Sequence, residues 1–125
     1  LNGVTFDAGG LIAIERSNRQ VLSLIQTALE EGGRFVVPAT ALAQVIRNPA
    51  KQVRLWRLLQ HDRTDVIPLD GSHARAVGLL LARTGTADIA DAHVVVCAQI
   101  TGLAVVTSDP SDLKRLDPNL RLIAV

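Results

Sequence analysis

Four aspartates stand where an α/β chain collects its chemistry. Asp7 directly follows Val4-Thr5-Phe6, and Asp109 follows Ala104-Val105-Val106-Thr107-Ser108. Both runs read as short strands. Open α/β sheets gather ligand sites beyond the carboxyl ends of their strands, where the strand order switches. If these two strands are neighbours across that switch, Asp7 and Asp109 meet there. Asp88 and Asp91 open the helical stretch that leads into the second strand, near the same edge. Two carboxylates about 4 Å apart repel by about 4 kcal/mol at an effective dielectric of about 20. Protonation relieves that repulsion, and so does a divalent cation. Oxygen donors suit Mg2+ or Mn2+. Such an ion activates water and stabilises charge on a phosphoryl oxygen, which is the chemistry of phosphodiester hydrolysis. Each acid also has a local reading. Asp70 and Asp88 suit helix N-caps, and Asp109 before Pro110 suits a turn.

The elements that must position these acids alternate regularly. A strand over 4–6 is followed by a helix over Ala8–Ile14. Asn18 caps the next helix, whose apolar residues recur every 3.6 positions until Gly32-Gly33. Arg34-Phe35-Val36-Val37 is a second strand stopped by Pro38. Thr40 is the expected cap of a helix over 41–47, and Asn48-Pro49 breaks it and starts another. Val66-Ile67 is a third strand. Asp70 or Ser72 caps a long helix that ends near Thr84-Gly85. Asp88 to Ile100 is helical, with Gly102 as its stop. Leu103–Val106 is a fourth strand, Pro110–Leu116 a short helix, and 120–125 a fifth strand. Short apolar strands alternating with helices specify an α/β fold with a mostly parallel, doubly covered sheet. No linker or repeat interrupts the chain, so residues 1–125 read as one domain.

Composition narrows the function classes. The 125 residues are 48% hydrophobic and 20% charged, a globular balance. Thirteen basic against twelve acidic residues give +1, which excludes a polybasic arm but not a local basic patch. Phe6, Phe35 and Trp56 are the only aromatics, too few for a base-stacking platform. Cys97 is the only cysteine, so no internal disulfide and no cysteine-based zinc finger is expected, and a reducing, cytoplasmic setting fits best. The chain has no Met, which points to an initiator outside this sequence. The first twenty residues carry Asp7 and Glu15 in place of a signal-peptide pattern. The longest apolar run, Val94–Ala98, is far short of the roughly 20 residues that cross a membrane.

Three segments together resemble the PIN-domain family. Val4-Thr5-Phe6-Asp7-Ala8-Gly9-Gly10-Leu11-Ile12-Ala13 resembles its opening. Ala90-Asp91-Ala92-His93-Val94-Val95-Val96-Cys97-Ala98 is similar to its third acidic motif. Val105-Val106-Thr107-Ser108-Asp109-Pro110-Ser111-Asp112-Leu113 is similar to its fourth. The nearest likeness is to VapC-type toxins of bacterial toxin–antitoxin pairs. The resemblance implies a three-layer α/β/α fold with a five-stranded parallel sheet in the order 3-2-1-4-5. It also implies an Mg2+- or Mn2+-dependent endoribonuclease, restrained by a cognate antitoxin and usually a homodimer. By motif, Asp7, Asp91 and Asp109 become the metal ligands. Asp88, Asp112, Thr107 and Ser108 support them. The second acid is replaced: Pro38-Ala39-Thr40-Ala41-Leu42-Ala43-Gln44 carries Gln44 where Glu is usual. Gln keeps a carbonyl oxygen but loses the charge, so Gln44 completes a polar pocket without serving as a base.

The remaining candidates have weaker signals. Arg47, Lys51, Arg54 and Arg57 run around the Asn48-Pro49 break, and with Arg16 and Arg19 they are candidates to hold RNA phosphates. A solvated helix face explains the same run equally well. His93 and Cys97 stand at ligand spacing on one helix, yet no second His/Cys pair accompanies them. Cys97 therefore reads as a core residue. His93 lies about 200° around the helix from Asp91, facing away from the acids and toward a candidate dimer surface. No histidine has a motif that places it beside Ser108 for a nucleophilic triad. Gly9-Gly10 lacks a phosphate-loop pattern and instead permits close backbone approach. Two rival classes follow. One is a PIN module, weakened at Gln44, that binds RNA or an antitoxin without cutting. The other is a phosphoacceptor receiver domain, which needs paired acids after strand one and a lysine after strand five. Only one acid follows strand one, and the only lysines are Lys51 and Lys114.

Overall fold

A computed structural model describes residues 2–125. Five strands form one parallel sheet: β1 (Gly3–Phe6), β2 (Arg34–Pro38), β3 (Thr64–Ile67), β4 (Ala104–Thr107) and β5 (Leu122–Ala124). Their order is β3-β2-β1-β4-β5, as the family resemblance implies. β1 is central. Val4 pairs with Phe35 of β2 and with Ala104 of β4, and Phe6 pairs with Val106. β1 is buried along its whole length and β2 in all but its first residue, which is why these strands read as continuous apolar runs. Between the strands run α1 (Ala8–Glu15), α2 (Arg19–Glu30), α3 (Ala39–Val45), α4 (Val53–Leu59), α5 (Gly71–Thr84), α6 (Ile89–Thr101) and α7 (Pro110–Leu116). They cover both faces of the sheet in a three-layer α/β/α arrangement.

Local chemistry sets most boundaries. The side chains of Asn18, Asp70 and Asp88 accept from the amides of Val21, His73 and Asp91, capping α2, α5 and α6. Gly85 and Gly102 end α5 and α6 in the left-handed region that glycine enters without penalty. The break at Asn48-Pro49 is a single 3-10 turn over Pro49–Lys51. Gln52 holds it: its buried amide donates to the Val45 carbonyl at 2.8 Å and accepts from the Arg47 amide at 3.1 Å.

Two sequence expectations need correction. α3 begins two residues earlier than expected, with Pro38 in the N-cap position and no side-chain cap. Thr40 lies inside that helix, where its hydroxyl meets His93 Nδ1 at 2.8 Å. His93 is not at a dimer surface. It is fully buried within the one chain, between Thr40 and His73. The burial of α6 is the reason. Ala92 to Ala98 are buried without a break, so this helix has no solvent face at that level.

Candidate active site

The switch point of the sheet lies between β1 and β4. Asp7 is the first residue beyond β1, and its amide donates to Val106 of β4 at 3.3 Å. It also caps α1: Oδ1 accepts from the Gly10 amide at 2.7 Å. That tight strand-to-helix turn requires Gly10, because a Cβ there would collide with the Val106 carbonyl. Asp7 is nearly buried, and desolvation raises its pKa above the usual carboxylate range. The Thr107 hydroxyl and the Gly10 and Gly9 amides oppose that rise by hydrogen bonding, and the charge of Asp109 adds to it. Thr107 is itself fully buried at the end of β4, where its hydroxyl accepts from the Asp109 amide at 3.0 Å. One side chain therefore ties the two strand ends together.

Asp91 sits in the first turn of α6. Burial, followed by the charges of Asp88, Asp7, Asp112 and Asp109, pushes its pKa up to about 6. Asp88, Asp91 and Asp112 line one cavity of about 220 Å3 with Thr86, Arg115 and Leu116. Asp109 and Asp112 are exposed at the rim. The Ser111 hydroxyl donates to Asp109 Oδ1 at 2.8 Å and is the main influence holding its carboxyl below the ordinary value. Arg115 stands 3.9 Å from Asp112 in an exposed pair. These carboxylates feel one another's charge, but among the described residues no three of them bring oxygens within 4.8 Å of one another. An all-oxygen donor set under mutual repulsion fits a hard divalent cation, whose binding would draw the oxygens closer together.

Gln44 is exposed on α3 and lines a hollow of about 570 Å3 with Glu15, Arg16, Arg47 and Lys51. Three of the basic residues singled out from sequence thus share one groove, contributed by three separate segments. Arg54 and Arg57 face a different, more apolar hollow beside Phe35 and His61. Arg19 is exposed at the start of α2, outside both. Ser108 lines a third hollow with Gly9, Arg16 and Asn18. Sequence reasoning overlooked His73. It comes from α5, and its Nδ1 stands 3.1 Å from His93 Nε2. Burial, and then the neighbouring His73, hold His93 below the ordinary imidazole range. Burial pushes the Cys97 thiol up to about 12, which makes it inert as a nucleophile.

A PIN domain family model matches residues 4–118. The chain belongs to the PIN domain family. Solved structures with the same fold include VapBC2 from Rickettsia felis bound to a DNA fragment from its promoter, with a TM-score of 0.69 at 17% identity, covering 98% of both chains. A DNA-bound VapBC from Salmonella typhimurium aligns with a TM-score of 0.68 at 21% identity, over 99% of this chain and 98% of that one. A toxin–antitoxin complex from Klebsiella pneumoniae gives 0.68 at 17% identity, over 97% and 96%. No curated protein sequence matches the chain. Among the described residues, no helix of this PIN domain is long and apolar enough to cross a membrane.

Proposed function

We propose that this PIN domain is a metal-dependent endoribonuclease of the VapC toxin type, restrained by a cognate antitoxin and acting as a homodimer. The observation that carries this reading is the strain on the Asp91 carboxylate, which burial and then four other aspartates at the switch point of the sheet push toward its protonated form. A fold does not keep such repulsion for stability's sake, and perturbed carboxyls in a cleft mark functional sites. Asp7, Asp91 and Asp109 would hold Mg2+ or Mn2+, with Asp88 and Asp112 adding negative charge around them. When bound, such a cation neutralises the cluster and polarises a phosphodiester toward attack by water. Thr107 fixes Asp7 and the Asp109 backbone relative to each other. Arg16, Arg47 and Lys51 line a groove suited to phosphates of a single strand, while Gln44 offers that groove a neutral hydrogen-bonding amide. The similar solved structures are toxin–antitoxin complexes, which supports an antitoxin as the protein partner.

The test is induction of the chain in a growing bacterium together with incubation of the purified protein with total RNA. The expected result is growth arrest, plus cleavage that requires Mn2+ and stops with a chelator. RNA left intact with and without Mn2+ would contradict it. One observation favours a second reading, a PIN module that binds without cutting: Gln44 stands in the place of an acid. In that case the wild-type chain binds RNA but leaves it whole, and Gln44→Glu restores cleavage.

A further inference from the structure

On the side of α6 away from Asp91, a different donor set converges. His93 and Cys97 are one turn apart and both are buried, at 0% and 1% exposure. His73 reaches them from the first turn of α5, where the Asp70 cap holds its backbone amide at 2.9 Å. The two imidazoles meet edge to face, with centroids 5.2 Å apart. His73 Nδ1 stands 3.1 Å from His93 Nε2, and the Cys97 sulfur lies within 4.8 Å of a ligating nitrogen on each ring. Among the described residues this is the one group of three His, Cys, Asp or Glu side chains gathered so closely. The other nitrogen of His93, Nδ1, is held by the Thr40 hydroxyl at 2.8 Å.

We propose that His73, His93 and Cys97 form a second, soft-metal site that takes Zn2+ and clips α5 to α6. Two imidazole nitrogens bonded at about 2.0–2.1 Å to a tetrahedral ion lie about 3.3 Å apart. The observed separation of 3.1 Å is already close to that. A thiolate bonded at about 2.3 Å would sit about 3.6 Å from each nitrogen, so Cys97 needs only a small side-chain adjustment. Two nitrogens and a sulfur suit zinc and discriminate against Mg2+ and Mn2+, which the carboxylates across the helix prefer. Thr40 fits the arrangement, because a ligating histidine normally has its second nitrogen hydrogen-bonded. His93 would donate from Nδ1 to the Thr40 hydroxyl and bind through Nε2. His73 would bind through Nδ1, with its own proton on Nε2. Cys97 binds as thiolate, so one proton leaves to solvent for each ion taken up. Three protein donors leave a fourth position for water. His73 and Thr40 are each partly exposed, which gives the ion an entry path.

Co2+ is the probe, added to purified, chelator-treated protein. The expected result is one equivalent bound, a thiolate-to-cobalt charge-transfer band in the near ultraviolet, intense ligand-field bands in the visible, and displacement of all of these by Zn2+. Cys97→Ala removes the charge-transfer band. His73→Gln, at a partly exposed position where folding is little disturbed, weakens binding by at least tenfold. Asp7→Asn keeps the spectrum, since it lies in the other site. Zn2+ raises the Tm of the wild-type chain but not that of Cys97→Ala. Absence of the band in wild type would overturn the proposal and leave only a hydrogen-bonded histidine pair between α5 and α6. A band that survives in both Cys97→Ala and His73→Gln, or that disappears in Asp7→Asn, would overturn it as well.

Discussion

Asp91 is the residue on which charge and stability conflict most. The unfolded chain releases this proton near 3.8, and the folded chain near 6. The folded state therefore binds more protons between those values, and stability falls as pH rises through the window. A shift of that size corresponds to about 3 kcal/mol at full strength, and solvent screening of a partly exposed carboxyl reduces it to about 1–2 kcal/mol. Asp91→Asn is expected to be more stable than wild type by that amount at pH 7. The gain should shrink toward zero as the pH falls below 4, which denaturant titrations at a series of pH values will show. Mn2+ should raise the Tm of wild type more than that of Asp91→Asn, because the substitution removes a charged ligand. A variant no more stable at pH 7 would mean that burial and the neighbouring aspartates do not disfavour the Asp91 charge as described.

At the scale of elements, the site depends on how closely α1 approaches β4. A methyl group on Gly10 meets the Val106 backbone, which cannot swing aside. Gly10→Ala should cost about 1–3 kcal/mol, measured by urea denaturation, and should lower cleavage by displacing Asp7. At Gly9 the obstacle is the Ser108 side chain, which can rotate, so Gly9→Ala should cost less. Much of this architecture is legible in the sequence because its causes are local. A strand-like run ending in Asp7 and then two glycines announces a tight strand-to-helix turn, and Asn18, Asp70 and Asp88 are caps within three residues of their partners. The rest depends on distant packing. Thr40 has the right type for a cap, yet the partner that claims its hydroxyl is His93, on another helix. His73 carries no signal beyond its own identity, because α5 meets α6 only after the chain has turned at Gly85. Gln44 can be placed by motif, but Glu15, Arg16 and Lys51 reach its groove from other segments that only folding brings together.

For the whole molecule, a charge of +1 conceals two opposed fields. Aspartates crowd the switch point of the sheet, while Arg16, Arg47 and Lys51 line a separate groove. Exchanging those three for glutamine should weaken RNA binding, with a small fall in Tm from the lost bonds of Arg47 to the Ala43 and Ile46 carbonyls. It should also flatten the salt dependence of affinity by about 0.7 in logarithmic slope for each phosphate that is no longer neutralised. An unchanged slope would assign the groove to a solvated surface. With so few aromatics, the proposed nuclease would rest its recognition on backbone charge and leave the acidic cluster to act on the phosphodiester itself. The most direct measurement is the rate at which purified wild-type and Asp7→Asn chains cleave a single-stranded RNA in Mn2+. Asp7 stands at the end of β1 beside the switch point of the sheet, and asparagine preserves its shape and can still accept from the Gly10 amide. Wild type should show Mn2+-dependent cleavage, and Asp7→Asn should lose at least a hundredfold in rate with its fold intact. Equal rates for the two chains would contradict a metal-dependent nuclease centred on Asp7.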